Sequence, residues 1–125
     1  MKNTRAAGKK GEAIACRALE RYGYDIVEKN YRCREGEIDI IARDKDCLCF
    51  IEVKSRSSES FGLPEESVTK TKQLRLWTVA NVFLEEKEVE YDELRFDIAA
   101  VNLLTGEVRV IRNAFEVDTT SMELN

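Results

Sequence analysis

Apolar residues recur at helical spacing in the first part of the chain. Between Thr4 and Tyr22, Ile14, Ala18 and Tyr22 stand four apart, with Ala15 and Leu19 beside them. That stripe is as wide as one core-facing helix side requires, and Gly23 supplies a left-handed stop behind it. The spacing then tightens to strand alternation from Tyr24 to Arg32, placing Tyr24, Ile26 and Glu28 on one face and Val27 and Tyr31 on the other. Two apolar runs follow, Gly36 to Ala42 and Leu48 to Lys54, separated by the polar break Arg43 to Asp46. Both faces of these runs are apolar over much of their length, which predicts a central, buried hairpin.

Ser55 to Glu66 reads as a loop, with Gly62 and the only proline, Pro64, and its place behind the hairpin suits a substrate-contacting flap. A second helix is predicted from Thr69, its N-cap, to Glu86, with Leu76, Ala80 and Phe83 backed by Leu74, Trp77, Val79 and Leu84. Leu94 to Val101 is a strand, Thr105-Gly106 turns it, and Val108 to Ile111 is the last strand, with Phe115 packing over the sheet end. The expected fold is α/β in the order αβββαββ, a mixed sheet flanked by helices. It forms one domain over residues 1–117, with 118–125 as a flexible tail.

Composition narrows the function. The chain has 125 residues, 43% of them hydrophobic, enough for one core without metal or disulfide staples. No apolar run approaches the ~20 residues of a membrane span, and the basic start, Met1 to Lys10, lacks the apolar centre of a signal peptide. A cytoplasmic location is the expectation, with no membrane partner. Cys47 and Cys49 lack the spacing of a zinc knuckle, and Cys16 and Cys33 read as ordinary thiols. Histidine is absent, which leaves carboxylates and lysines for any acid–base or metal chemistry. The net charge of −4 hides a gradient: residues 1–34 hold nine Lys/Arg against four Asp/Glu, and residues 85–125 hold four against eleven. The basic third, Lys9 and Lys10 included, is suited to a phosphate backbone. Solvated helix faces account for the same charges equally well.

Inside the hairpin stand Asp39, Glu52 and Lys54, and charge is costly to bury unless it is paired or holds a metal. Glu52 and Lys54 share a strand face. If the turn is symmetric about Lys45-Asp46, Asp39 lies directly opposite Glu52, with Cβ atoms ~4.5–5.5 Å apart. Two carboxylates so close repel unless a cation joins them. A hard ion such as Mg²⁺ suits the oxygen set, completed by the Val53 carbonyl, water and a phosphate oxygen. Lys54 would then hold the attacking water or balance charge on phosphorus. A local salt bridge among the three is the plainer alternative. Glu37 reads as a further ligand or a strand-edge charge, and Glu12 as an acid favoured at a helix N-terminus.

Glu37-x-Asp39 followed by Glu52-Val53-Lys54 resembles the PD-(D/E)XK nuclease pattern. More closely, the chain resembles the bacterial YraN family, related to Holliday-junction resolvases. The matching stretches run from Gly8-Lys9-Lys10-Gly11-Glu12 through Tyr22-Gly23-Tyr24, Asn30-Tyr31-Arg32, Gly36 to Ala42, Phe50 to Arg56, Phe61-Gly62 and Val68-Thr69-x-x-Lys72 to Arg95-Phe96-Asp97. Ile38 replaces the proline that names the superfamily, an ordinary substitution for the YraN group. The resemblance implies a restriction-endonuclease-like fold and a catalytic core of Asp39, Glu52 and Lys54, with Glu12 helping the metal site. It places Lys72 and Arg56 near substrate phosphate, although Arg56 alone also reads as a surface charge. The implied activity is Mg²⁺-dependent (or Mn²⁺-dependent) cleavage of branched or structured DNA, with a homodimer as one arrangement. A non-catalytic nucleic-acid-binding module on the same fold is the rival, and a small-nucleotide phosphohydrolase the weaker third reading.

Overall fold

The structure, a computed structural model, describes residues 4–57 and 68–117. The elements are α1 (Thr4–Arg21), β1 (Asp25–Cys33), β2 (Gly36–Asp44), β3 (Cys47–Arg56), α2 (Lys70–Lys87), β4 (Glu93–Asn102) and β5 (Val108–Ile111). This is the αβββαββ order of the sequence reading. Strand β3 continues through Arg56, so the loop begins later than expected. The remainder of the expected flap and the tail 118–125 lie outside the described residues.

The sheet runs β1-β2-β3-β4-β5, antiparallel except for the parallel β3–β4 pair. Helix α2 makes the crossover that a parallel pair requires. One helix covers each face. Ala15, Cys16 and Leu19 of α1 pack on Ile40, Ala42, Cys49, Ile51 and Ala99. Leu76, Val79, Ala80 and Phe83 of α2 pack on Tyr31, Ile38, Ile41, Leu48, Phe50 and Ile98. Phe83 meets Tyr31 and Phe50 edge-on at 5.1 and 6.1 Å, contacts each contributing about 0.5–1.5 kcal/mol beyond their area. With both faces covered, β2 and β3 carry near-continuous apolar runs, and the result is a restriction-endonuclease-like mixed α/β fold.

Local signals explain the element ends. Gly23, at φ 94°, closes α1 while Tyr24 N–H donates to Leu19 O at 3.0 Å. Thr69 caps α2, its hydroxyl accepting from Lys72 N–H at 3.2 Å. The β2–β3 turn is symmetric about Lys45-Asp46, with Asp44 opposite Cys47 and Ile40 opposite Ile51.

Two expectations need correction. Tyr22 ends the predicted stripe but is 53% exposed, because α1 closes at Arg21 and its hydroxyl reaches out to the Val108 carbonyl of β5 at 3.4 Å. Val27 is 42% exposed rather than helping a buried face. A bulge between Ile26 and Glu28 leaves it unpaired and turns Glu28 to the face opposite Ile26.

The cysteines carry no disulfide: Cys16, Cys47 and Cys49 are buried packing residues and Cys33 is half-buried. No helix among the described residues is long and apolar enough to cross a membrane.

Candidate metal centre

The β2–β3 ladder ends at Ile40–Ile51, one pair short of Asp39 and Glu52. Beyond it the Asp39 carboxylate takes over the ladder's role, accepting the Val53 N–H at 2.8 Å. In an extended residue the N–H and C=O leave the same strand edge, so the Val53 carbonyl faces the Asp39 side too. The Asp39 carboxyl is pushed up to about 8, first by burial, then by the hydrogen bond and charge of Glu52, with Glu12 adding and the Val53 N–H opposing.

Glu52 is 8% exposed. Burial works to raise its carboxyl, but the bond to Asp39 and the Lys72 ammonium outweigh this and hold it below the usual range. Of the two acids, Asp39 is therefore the one that keeps a proton more readily and Glu52 the one that holds its charge. Magnitudes favour this outcome. Like charges ~4 Å apart repel by about 4 kcal/mol at an effective dielectric of ~20, whereas one N–H to a charged acceptor returns about 1.5–3 kcal/mol. Only a proton or a cation relieves the pair.

Lys72 Nζ lies 2.6 Å from Glu52 Oε2. The contact is one of charge and lacks hydrogen-bond alignment, so this buried oxygen has no aligned donor among the described residues. Lys54 stands on the same face. Burial and the neighbouring Lys72 charge lower its ammonium, while Glu52 and Asp39 work in the other direction. For Lys72 burial also disfavours the charge, but Glu52 prevails and its ammonium is raised.

On the α1 side, ligand atoms of Glu12, Glu37 and Asp39 lie within 4.8 Å of one another. Glu12 stands one residue after Gly11, which is buried against β3, where a Cβ would overlap the Ser55 hydroxyl. A cleft of about 370 Å³ opens there, lined by Gly8, Glu12, Asp39, Val53, Ser55, Ser57 and Leu103. A neighbouring cleft of about 250 Å³ shares Glu12 and Asp39 and adds Lys9, Lys29 and Asn30.

The structure thus brings together Asp39, Glu52, Lys54, Glu12 and Lys72, all singled out from sequence. Lys72, expected near substrate phosphate, here sits against Glu52. Lys9 is exposed beside Glu12, Lys10 is exposed on α1, and Arg56 is half-buried at the end of β3. Glu37, left open between ligand and edge charge, joins the cluster, with Arg32 at 3.3 Å on its outer side. Sequence reasoning gave Asn30, Gly11 and Ser55 no role at the site. Each stood in a matched stretch, but its contact depends on the crossing of α1 over β1 and β3.

A mixed sheet with one helix per face and an acid-and-lysine cluster where the central ladder opens describes a restriction-endonuclease-like domain. The profile of the Uncharacterised protein family UPF0102 matches residues 11–101, and the chain belongs to that family, as the likeness to YraN implies. It is 47% identical to a UPF0102 protein of Syntrophus aciditrophicus, covering 88% of each chain. It is also 44% identical to one of Desulfosudis oleivorans over 89% of this chain and 90% of the relative. A UPF0102 protein of Clostridium kluyveri is 40% identical over 88% and 93%.

Proposed function

We propose that this protein is a metal-dependent nuclease that hydrolyses phosphodiester bonds in branched or structured DNA. The observation that carries the reading is the Asp39–Glu52 pair: a half-buried and a buried carboxyl gathered where the central ladder opens, each shifting the other's proton affinity, with Lys54 alongside. Such a pair would suit a hard divalent cation, whose charge would offset the repulsion between the two carboxyls. Asp39, Glu52, the Val53 carbonyl and Glu12 are the donors for Mg²⁺, or Mn²⁺ in its place. Once bound, the ion supplies Lewis-acid stabilisation of charge on the phosphate.

The chain's own groups do the rest. Lys54, half-buried beside the acids, holds the attacking water or faces the charge developing on phosphate oxygen. Lys72, which here touches Glu52, would be free to meet an incoming phosphate if a bound ion took over the Glu52 carboxylate. Lys9 and Lys10 on α1, with Arg56 at the end of β3, would contact the backbone beside the site. A homodimer would present two such sites to the paired strands of a branched substrate.

The test has two stages. Calorimetric titration with Mg²⁺ should show binding that Asp39→Asn and Glu52→Gln abolish; equal binding in both variants defeats the metal reading. Four-way, flap and linear DNA are then offered with Mg²⁺ or Mn²⁺. Cleavage of branched DNA that Lys54→Ala removes supports the nuclease. A second reading, a DNA-binding module that does not cut, draws on Lys72 already neutralising Glu52. It predicts binding of the same DNAs with no cleavage under any metal.

A further inference from the structure

We infer that Asn30 is a positioning residue of this metal centre: its left-handed backbone and its amide together set Asp39, Glu12 and Glu37 in place. The inference rests on the metal-site reading above.

The backbone part comes from the strand register. Lys29 pairs with Ile40 and Tyr31 with Ile38, but Asn30 and Asp39 between them drop out of the ladder. Asn30 has φ 52°, a conformation that asparagine tolerates far better than most residues. The consequence is a reversal of faces. Ile40 packs with α1 and Ile38 with α2, although residues two apart in a regular strand share a face. In β1, Lys29 lines a cleft with α1 whereas Tyr31 packs under α2. Asp39 stands at the reversal, released by both neighbouring strands. One carboxyl can therefore meet Glu52 from one side of the sheet and Glu12 and Glu37 from the other.

The amide does the second part. One end of it faces only acceptors, the carboxylate oxygens, and the other end only donors, so the hydrogen-bond network assigns its nitrogen to the carboxylate end. Nδ2 donates to Glu12 Oε1 at 2.9 Å, to Glu12 Oε2 at 3.3 Å and to Glu37 Oε1 at 3.2 Å. A neutral donor bridging an acid on α1 and an acid on β2 reduces their repulsion while leaving their charge available to a cation. Partners that orient ligands in this way typically contribute about 10–100-fold in metal affinity.

Three variants of the full chain separate the two parts, with Mn²⁺ as the probe ion, read by electron paramagnetic resonance and by proton relaxation. Asn30→Gly keeps the left-handed backbone and removes the amide. It should melt close to the wild type yet bind Mn²⁺ about 10-fold or more weakly. Asn30→Asp keeps backbone tolerance but replaces the donor with a fourth negative charge. Without ion it should melt below Asn30→Gly, and it should gain more than the wild type when Mn²⁺ is added. Asn30→Ala, which has neither property, should lose both stability and affinity. Wild-type Mn²⁺ affinity in a folded Asn30→Gly protein overturns the inference.

A readout without metal keeps the two proposals distinct. In the ¹⁵N-labelled protein the Asn30 side-chain amide signals should shift on Glu12→Gln and on Glu37→Gln. Signals unmoved by both overturn the positioning role even if the ion binds. Signals that move in a protein binding no Mn²⁺ uphold the contact and overturn the metal reading instead.

Discussion

Asp97, on β4, is 1% exposed and has four donors: Tyr24 Oη at 2.8 Å, Arg95 Nε at 2.9 Å, Arg95 Nη2 at 3.0 Å and the Asn113 N–H at 2.8 Å. Asp39, half-buried on β2, takes one N–H, from Val53, and otherwise faces carboxyls. Around Asp97 the opposite charges close on one another. Arg95 continues to Asp44 at 2.8 Å, and Arg112 reaches Asp44 at 3.2 Å while its guanidinium covers the Tyr24 ring. The Asp44 carboxyl is held below its usual range by Arg95, with Arg112 helping against burial. This network ties the start of β1, the end of β2, β4 and the segment after β5 into one frame. Around Asp39, three further carboxyls, of Glu12, Glu37 and Glu52, are gathered, with Lys72 touching Glu52 and Lys54 nearby. A cluster of paired opposite charges needs nothing further, whereas a cluster with more carboxyls than cations is one that an added cation would stabilise. The contrast also gives Arg95-Phe96-Asp97 its place: it braces the sheet opposite the chemistry.

Removing the acid from the paired cluster should have the largest effect. Asp97→Ala takes from the Arg95 guanidinium its buried carboxylate, leaving only Asp44 opposite it among the described acids, and strips the Tyr24 hydroxyl and the Asn113 N–H of their acceptor; breaking a buried pair costs about 3–5 kcal/mol. Urea unfolding should show that loss, while folded protein keeps its Mn²⁺ affinity. A loss of binding without a loss of stability would erase the distinction between the two clusters.

The carboxyl-rich cluster should respond with the opposite sign. The Asp39 carboxyl rises on folding to about 8, so the folded chain keeps a proton that the unfolded chain releases. Its stabilisation is complete below ~pH 4, the unfolded value, and is lost progressively as pH climbs to about 8. Glu52, shifted down, contributes above its unfolded value and loses that contribution only in acid. In the metal-free protein, stability from the pair should therefore fall between pH 4 and 8, with a slope of at most about 1.4 kcal/mol per pH unit. Asp39→Asn should flatten this slope in urea melts run across pH, and Mg²⁺ should restore wild-type stability above pH 7. A wild-type slope matching that of Asp39→Asn would mean that the acids are not coupled.

The seating of α1 gives a smaller effect that reaches the site indirectly. A methyl at Gly11 must displace the Ser55 side chain, and overpacking of this kind costs about 1–3 kcal/mol. Gly11→Ala should lower the melting temperature and weaken Mn²⁺ binding together, because Glu12 moves with the helix. Adding Ser55→Gly should recover both. Recovery of stability alone would separate Glu12 from the metal centre.

Much of this contrast was legible in the sequence. Period and turn chemistry located every element, and charges inside an apolar hairpin marked Asp39, Glu52 and Lys54 before any contact was visible. The symmetric Lys45-Asp46 turn set the register that brings the two acids together. What stayed hidden depended on departures from regular strands. The Val27 bulge and the left-handed Asn30 reverse faces within β1, and strict alternation cannot anticipate either. The Asp97 frame was hidden for a different reason. Its members come from four separate segments, and local spacing says nothing of pairs 51 to 73 residues apart, such as Arg95 with Asp44 and Tyr24 with Asp97.

The smallest effect concerns how Lys72 reaches Glu52. Lys72 stands in the first turn of α2, where the helix still has unsatisfied N–H groups, and its own N–H is the one that the Thr69 hydroxyl accepts. The same cap that begins the helix thus orients the residue whose ammonium touches Glu52. Thr69→Ala should cost about 1 kcal/mol, the usual loss of a cap; Thr69→Asp should recover it through a carboxylate at the positive end of the helix. If Lys72 competes with the cation for Glu52, fraying this turn should slightly tighten Mn²⁺ binding in Thr69→Ala even as the protein melts earlier. Stability and affinity would then move in opposite directions, which loss of packing alone would not produce. Mn²⁺ titration of the two variants at one temperature decides the matter, and parallel loss of both properties would leave Lys72 as a brace instead of a placeholder.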